Sequence, residues 1–428
     1  MGVVLLASAP SSSEHSAATA GSVEPSLLPA TLPPTTLRPA STSTVAASTT
    51  TTTTAPAATP PPSTTTTSTT TSTTTSTTTS TTTTVAAWSN RPAKFNHDAF
   101  NSVIAAGTVD IGDLSSGVAV MRDGKVLHAA AFGMEDPLES VAATTDTRFR
   151  VASISKMFTA VAIMQLANEG FIDLDRPFVE QLGVDGPFVD PRVGAVTVRQ
   201  LLSHMSGFPV SRGLFFGHGV NDWHQAATVA LGQVLESEPG TVFRYSNMNF
   251  CLLGLLIEHV TMRSFEEAIA VQVLDPIGIH PHLAPTFDTR PGDATHASGP
   301  GRNYMESLGP AGGWVATPLE IARLAQALRP ETRDPRLLDE DTVAEMRTRV
   351  TVPVEDPPPV NGWSYGLGLM LFGDGSWGHT GTIESTHAVV VNRNDGLTVA
   401  LMISGEYPRN TDDLLPLIDA AVGAATAG

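Results

Sequence analysis

The chain has 428 residues, 42 acids against 24 lysines and arginines, a formal net charge of −18 and one cysteine. Such an acidic chain argues against nucleic acid or an anionic membrane surface as partner, and simple solubility accounts for the charge. The lone Cys251 excludes an intrachain disulfide, and no later apolar run reaches the ~18 residues of a membrane span.

Taken in chain order, the opening MGVVLLASAP reads as the end of a signal peptide over residues 1–9: a short apolar run, then Ala7-Ser8-Ala9, without a positive n-region. The expected location is secreted or envelope-associated. Residues 10–89 are rich in Ser, Thr and Pro, and 41–84 are mostly Thr broken by single Ser. Such a tract buries too little apolar surface to offset the entropy of ordering, so a disordered stalk or linker is expected. All charged residues except Glu14, Glu24 and Arg38 follow Asn90, and the folded domain is expected over 90–428.

Within it, residues 92–106 carry helical spacing with Gly107 as a stop. GVAVMRDGKVLHAAAFG places alternating runs on either side of Asp123-Gly124, a hairpin signal. RVASISKMFTAVAIMQLANEG opens a helix near Ser153 that ends at Gly170, and the middle, about 153–345, is mostly helical pattern and loops. Near the far end come WSYGLGLMLF and a second hairpin, THAVVVNRNDGLTVALMIS, turning at Asp395-Gly396; LLPLIDAAVGAA closes the chain as a helix. The fold class expected is α+β: an antiparallel sheet formed from both chain ends and flanked by helices, with a central, mostly helical subdomain. A cleft between the two is the natural place for a site.

Lysine occurs only at Lys94, Lys125 and Lys156. Arginine stays charged, whereas a buried lysine can lose its proton and act as a base. On a helix Ser153 and Lys156 are i and i+3 and share a face, while Ser155 points elsewhere. A serine at a helix start is ordinarily a cap; a lysine in the first turn opposes the helix dipole, and capping does not call for it. Two further stretches carry chemistry. In Tyr245-Ser246-Asn247 a phenol able to relay a proton and an amide able to bond a substrate point to one side of an extended loop. His379-Thr380-Gly381 opens a strand, with Gly381 expected to admit a ligand to the strand edge.

Other matches are weaker. Gly362-Trp363-Ser364-Tyr365-Gly366 fits G-x-S-x-G, but LGLMLF follows it where a nucleophile elbow needs a helix, so its Ser and Tyr read as structural. Ser203-His204 and Ser206 read as a corner after a helix. His218 with His224, and His280 with His282, lack acidic or cysteine partners at metal-ligand spacing, so no metal is expected. Cys251 reads as a buried structural thiol.

S-x-x-K, Y-S-N and H-T-G, in this order and at these wide spacings, resemble the serine β-lactamase and penicillin-binding-protein family. The branch is the one with class C β-lactamases, D-alanyl-D-alanine carboxypeptidases, D-aminopeptidases and related esterases. NEGFIDLDRP, TVRQLLSHMSGFP, GPAGGWVATPLEIARLAQAL and YGLGLML extend the resemblance from about residue 92 to the C-terminus. It implies a β-lactamase/transpeptidase-like fold in which Ser153 attacks an acyl carbonyl and Lys156 and Tyr245 share the proton work. The N–H groups of Ser153 and Thr382 would form the oxyanion hole, and Asn247 would hold the substrate amide, with His379, Thr380 and Gly381 lining the cleft. No cofactor is implied. Two departures stand out: β-lactamases of this branch usually carry Lys where His379 stands, and Glu384 is expected at the cleft mouth, where it would repel an anionic substrate. The expected activity is that of a D-alanyl-D-alanine carboxypeptidase-like peptidase or an esterase acting on a small acyl substrate or cell-wall peptide. The alternatives are a β-lactamase and, from another class, a silent wall-binding sensor or scaffold. Oligomeric state stays open.

Overall fold

The computed structural model describes residues 95–296, 301–350, 354–355, 363–406 and 411–427. The expected signal remnant (1–9), the stalk (10–89) and Lys94 lie outside the described residues.

Asp123 and Gly124, both at positive φ, make the tight turn that Asp-Gly signals, joining β1 (Ser115–Arg122) to β2 (Lys125–Asp136). A short β3 (Val141–Ala142) follows on the outer side of β2. The other strands of this sheet come from the far end of the chain: β4 (Ser364–Tyr365), β5 (Met370–Leu371), β6 (Trp377–Ile383), β7 (Thr386–Asn392) and β8 (Leu397–Ser404). The eight strands run in the order β3-β2-β1-β8-β7-β6-β5-β4. The two halves meet where β1 pairs antiparallel with β8, from Ser115 opposite Ser404 to Arg122 opposite Leu397. The expected α+β arrangement, a sheet built from both chain ends, is what the chain adopts.

Side chains alternate across the sheet. Val118, Val120, Val389, Val391, Val399 and Leu401 face α1 (His97–Ala106) and α5 (Leu414–Thr426), which contribute Phe100, Ile104, Leu414 and Ile418 to the same cluster. Ala119, Met121, Ala388, Val390, Ala400 and Met402 face the helical subdomain. The sheet is therefore covered on both faces, and β7 and β8 are buried along their whole length. That double cover is why their sequence reads as nearly unbroken apolar runs rather than strict alternation.

Helix α1 starts at His97, later than the spacing predicts, because Asn96 caps it through a bond from the Ala99 N–H. Gly107 ends it at an ordinary φ of −90°; its role is close approach, since a Cβ there would lie 2.5 Å from Leu417 Cδ1 of α5. The subdomain is built around α2 (Ser155–Asn168) and α3 (Asn247–Thr261), while α4 (Pro318–Ala327) packs on the sheet, started by a Thr317–Glu320 capping box. Every residue of α2 from Ser155 to Leu166 is buried. The sequence predicts one apolar stripe through Met157, Val161 and Met164; the helix instead runs through the centre of the molecule and has no solvent face over that span.

Candidate active site

Ser153 does not begin the α-helix. It lies in a one-turn 3₁₀ segment, Ala152–Ile154, that leads into α2. Ala152 takes φ 48°, a left-handed conformation costing a non-glycine residue ~1–2 kcal/mol. From Phe149 to Leu166 every residue is buried except Ser153, which is half-exposed. The buried Ser155 hydroxyl accepts a bond from the Trp314 N–H and ties α2 to the strand at 314–316. Of the two serines, Ser153 is the one that reaches the surface and Ser155 is structural.

Lys156 is fully buried, one turn below Ser153. Its Nζ lies 3.1 Å from Ser153 Oγ, 2.9 Å from Asn247 Oδ1 and 2.7 Å from the Ala311 carbonyl. None of these partners is a carboxylate. Burial pulls the lysine down from 10.5 to about 7. A neutral amine has two N–H bonds and one lone pair. The Ala311 carbonyl and Asn247 Oδ1 can only accept, so they take the two N–H bonds, and the lone pair is left facing the Ser153 hydroxyl. The i, i+3 spacing sets this pair; the third partner, a backbone carbonyl in GPAGGW, carries no side-chain signal.

Tyr245 and Asn247 both reach Lys156, as an extended Y-x-N predicts. Asn247 is the first residue of α3, and Lys156 Nζ stands 4.8 Å from the centroid of the Tyr245 ring. Burial holds the Tyr245 phenol well above its ordinary value, opposed by the nearby Ser153 hydroxyl. The phenol oxygen is itself buried without a hydrogen bond of full geometry, so the two hydroxyls are neighbours rather than a formed pair.

His204, set aside in the sequence as a corner residue, packs directly on this group. Its ring lies 4.1 Å from the Tyr245 ring, with Phe243, Phe250 and Tyr365 around it. Its Nδ1 accepts the Ser246 N–H at 3.2 Å and sits 3.1 Å from Asn249 Nδ2. A backbone N–H can only donate, so Nδ1 carries no proton and the neutral ring holds it on Nε2, which is buried without a partner. Burial, then Lys156 and His379, drive this imidazole well below its ordinary value. Ser203 and Ser206 bond elsewhere, to the Arg199 carbonyl and to Asn249. His204 fixes the Tyr-Ser-Asn loop; it does not activate a serine.

His379, Thr380, Gly381 and Thr382 lie on β6, beside the Ser153 turn. At Gly381 the expectation of ligand access is corrected. A Cβ there would lie 2.4 Å from the Val151 carbonyl oxygen and 3.1 Å from the Ser153 amide nitrogen, so what the glycine admits is the nucleophile turn itself. His379 is 1% exposed; its Nδ1 is 2.6 Å from the Thr380 carbonyl and its Nε2 2.9 Å from the Tyr365 hydroxyl. Burial, reinforced by Lys156, holds it at about 3, so it is uncharged. Thr380 donates from both N–H and hydroxyl to Met370 Sδ at 3.4 Å. Thr382 is exposed and its hydroxyl bonds that of Thr411. Glu384, expected as a free charge at the mouth, is instead paired with Arg302 at 2.9 Å.

Ser364 and Tyr365 lie on β4 at the sheet edge, and Gly362 lies outside the described residues; the chain pairs back as β5 rather than entering a helix, so no nucleophile elbow forms. His224 bonds Glu258 at 3.0 Å, with Asp222 3.9 Å from its other ring nitrogen, and His282 bonds Asp293 at 3.2 Å. Among the described residues no cluster of three or more His, Cys, Asp or Glu could hold a metal. Cys251 is buried, and burial pushes its thiol up to about 12.

The Beta-lactamase family model matches residues 100–423, and the chain belongs to that family. Fold and family define the class, and the Ser153–Lys156 pair stands at its centre. Among curated proteins it is 30% identical over 162 residues to Protein flp of Staphylococcus aureus (37% of this chain, 32% of that protein). It is 33% identical over 157 residues to a probable fimbrial assembly protein FimD of Dichelobacter nodosus (36% and 39%). The matched segments thus span only about a third of the length of these relatives. Among solved structures, SurE with D-Leu superposes at TM-score 0.63 and 27% identity, covering 76% of this chain and 75% of that one. A D-stereospecific amidohydrolase from Streptomyces superposes at TM-score 0.60 and 25% identity, covering 77% and 98%. The D-amino acid amidase of Ochrobactrum anthropi, at TM-score 0.64 and 23% identity (76% and 97%), shares the fold.

Proposed function

We propose that the chain is a serine hydrolase working through an acyl-enzyme, and that it cleaves D-configured acyl substrates, as a D-alanyl-D-alanine carboxypeptidase-like peptidase or an esterase, outside the cytoplasm. The carrying observation is Lys156, whose two other contacts are pure acceptors and whose lone pair is therefore left for Ser153 Oγ. Ser153 Oγ bonds to the substrate carbonyl carbon as its proton passes to Lys156. The Ser153 and Thr382 N–H groups hold the developing oxyanion, an interaction worth ~3 kcal/mol per donor. The C–N or C–O bond then breaks, and the leaving group takes the proton through Lys156 and Tyr245. Water adds to the acyl carbon, giving its proton to the same pair, and Ser153 recovers its own as the acid leaves. Preference for the D-hand is supported by likeness to a D-stereospecific amidohydrolase and to a protein studied with D-Leu.

The test is a panel of D- and L-aminoacyl esters, D-Ala-D-Ala peptides and nitrocefin, with intact-mass detection of a fluorophosphonate or penicillin adduct. The expected result is turnover of D-substrates and an adduct lost in Ser153→Ala. Preferred turnover of nitrocefin would make it a β-lactamase; an adduct surviving in Ser153→Ala would overturn the assignment.

A further inference from the structure

The first two turns of α2 make three polar bonds to one stretch of chain. Ser155 takes the Trp314 N–H, Lys156 donates to the Ala311 carbonyl at 2.7 Å, and the Thr159 hydroxyl donates to the Pro310 carbonyl at 2.8 Å. Thr159 is fully buried, and residues 307–318 are buried throughout. A threonine inside a helix ordinarily turns its hydroxyl back to a carbonyl one turn earlier. Thr228, Thr261 and Thr426 do so in this chain, each on the carbonyl four residues before it. Thr159 instead crosses to another segment. That segment is gripped from two more sides. Gly309 takes φ 36°, where a Cβ would collide with the Trp223 ring, and a Cβ at Gly254 of α3 would lie 2.5 Å from Pro310 Cγ.

We propose that Thr159 is a positioning residue: by fixing the Pro310 peptide it holds the next carbonyl, Ala311, in place to take one Lys156 N–H, which leaves the amine's lone pair on Ser153 Oγ. This rests on the proposed acyl-enzyme reading and adds to it what aims the base. A neutral amine has no direction of its own; its lone pair points wherever its two N–H bonds do not. If the Ala311 carbonyl swings away, an N–H turns toward Ser153 Oγ and the base is misaimed. No proton passes through Thr159, whose hydroxyl hydrogen stays on the Pro310 carbonyl. The titratable groups facing Lys156 are His204, Tyr245, Cys251 and His379, and the bond to Pro310 involves none of them.

Thr159→Val keeps the shape and loses the donor, whereas Thr159→Ser keeps the donor. Steady-state hydrolysis of a D-aminoacyl ester is followed across the neutral pH range, with the rate of fluorophosphonate labelling of Ser153 and the urea midpoint measured alongside. The expected result is a kcat and a labelling rate about 10–100-fold lower in Thr159→Val with KM little changed, and Thr159→Ser within about threefold of wild type. The rising limb of kcat/KM should also move to lower pH by about half a unit or more in Thr159→Val, because an ammonium that has lost an acceptor gives up its proton more readily. If Thr159→Val does not fold, Thr159→Ala against Thr159→Ser isolates the hydroxyl in the same way. A fall in the urea midpoint alone, with kcat and the limb as in wild type, or a Thr159→Ser as slow as Thr159→Val, overturns the inference and leaves the hydrolase reading intact. No turnover and no adduct in wild type overturns both.

Discussion

The two elements that meet at the Ser153 turn, α2 and β6, each bury a nitrogen base without a carboxylate partner, and the outcomes are opposite. On the α2 side, Lys156 falls from 10.5 to about 7, where it can both take and give a proton near neutrality. On the β6 side, His379 falls from 6.5 to about 3 and is electrically silent. Desolvation acts in the same direction on both; the starting value decides what it produces. A lysine lowered by burial becomes a usable base, whereas a histidine under the same treatment becomes a neutral hydrogen-bonding ring. This is why lysine, scarce in this chain, occupies position 156 and why arginine could not replace it.

The comparison breaks most readily at its reactive end. Ser153→Ala or Lys156→Met should lower kcat on a D-aminoacyl ester by about 10³-fold or more, measured by steady-state hydrolysis, and Ser153→Ala should also abolish the mass adduct. Gly381→Ala drives a methyl group into the Val151 carbonyl and the Ser153 turn. The expected cost is ~1–3 kcal/mol in chemical denaturation together with near-complete loss of activity.

His204 tests whether the lysine side depends on its second layer. His204→Asn keeps a polar acceptor and tolerates the φ of 59°, whereas His204→Phe keeps a ring over Tyr245 and loses the Ser246 bond. Both should lower kcat about 10–100-fold with KM little changed, and Asn should retain more activity if the loop bond outweighs the stack.

The pH profile separates the two bases directly. In wild type, kcat/KM should rise as pH increases through about 7, when Lys156 loses its proton, with no step assignable to His379. The same shift has a stability sign. Between about 7 and 10.5 the unfolded chain holds a proton on Lys156 that the folded chain lacks, so stability rises with pH across that window. Denaturant titrations of Lys156→Met should lack that rise. The smallest effect belongs to the rim: Arg302→Ala removes a half-exposed ion pair and should cost ~0.2–1 kcal/mol in thermal or urea unfolding.

Much of this was readable from residue types alone. Asp-Gly at 123–124 marks the first hairpin because Asp and Gly both tolerate the positive φ that a two-residue turn requires. The Ser153–Lys156 spacing marked the reactive pair because helical geometry fixes which side chains share a face. Tertiary partners were another matter. Ala311 acts through a main-chain carbonyl, which every residue has. Tyr365 meets His379 only because β4 and β6 lie in one sheet, and it sat inside a motif that pointed to a different chemistry. His204 looked like a corner because its contacts come from segments some forty residues away in sequence. Glu384 drew attention as a charge, but its neutralising arginine lies in a distant segment.

The pairing of β1 with β8 has a consequence for biosynthesis. Residues 115–136 leave the ribosome early, yet the inner edge of their hairpin has no neighbour until 397–404 are made. The strand that shelves the reactive serine's bend, through the gap at Gly381, is likewise a late product of translation. A nascent chain therefore carries Ser153 and Lys156 for most of its synthesis without the wall that aligns them, and hydrolytic competence arrives only when the last strands close the sheet.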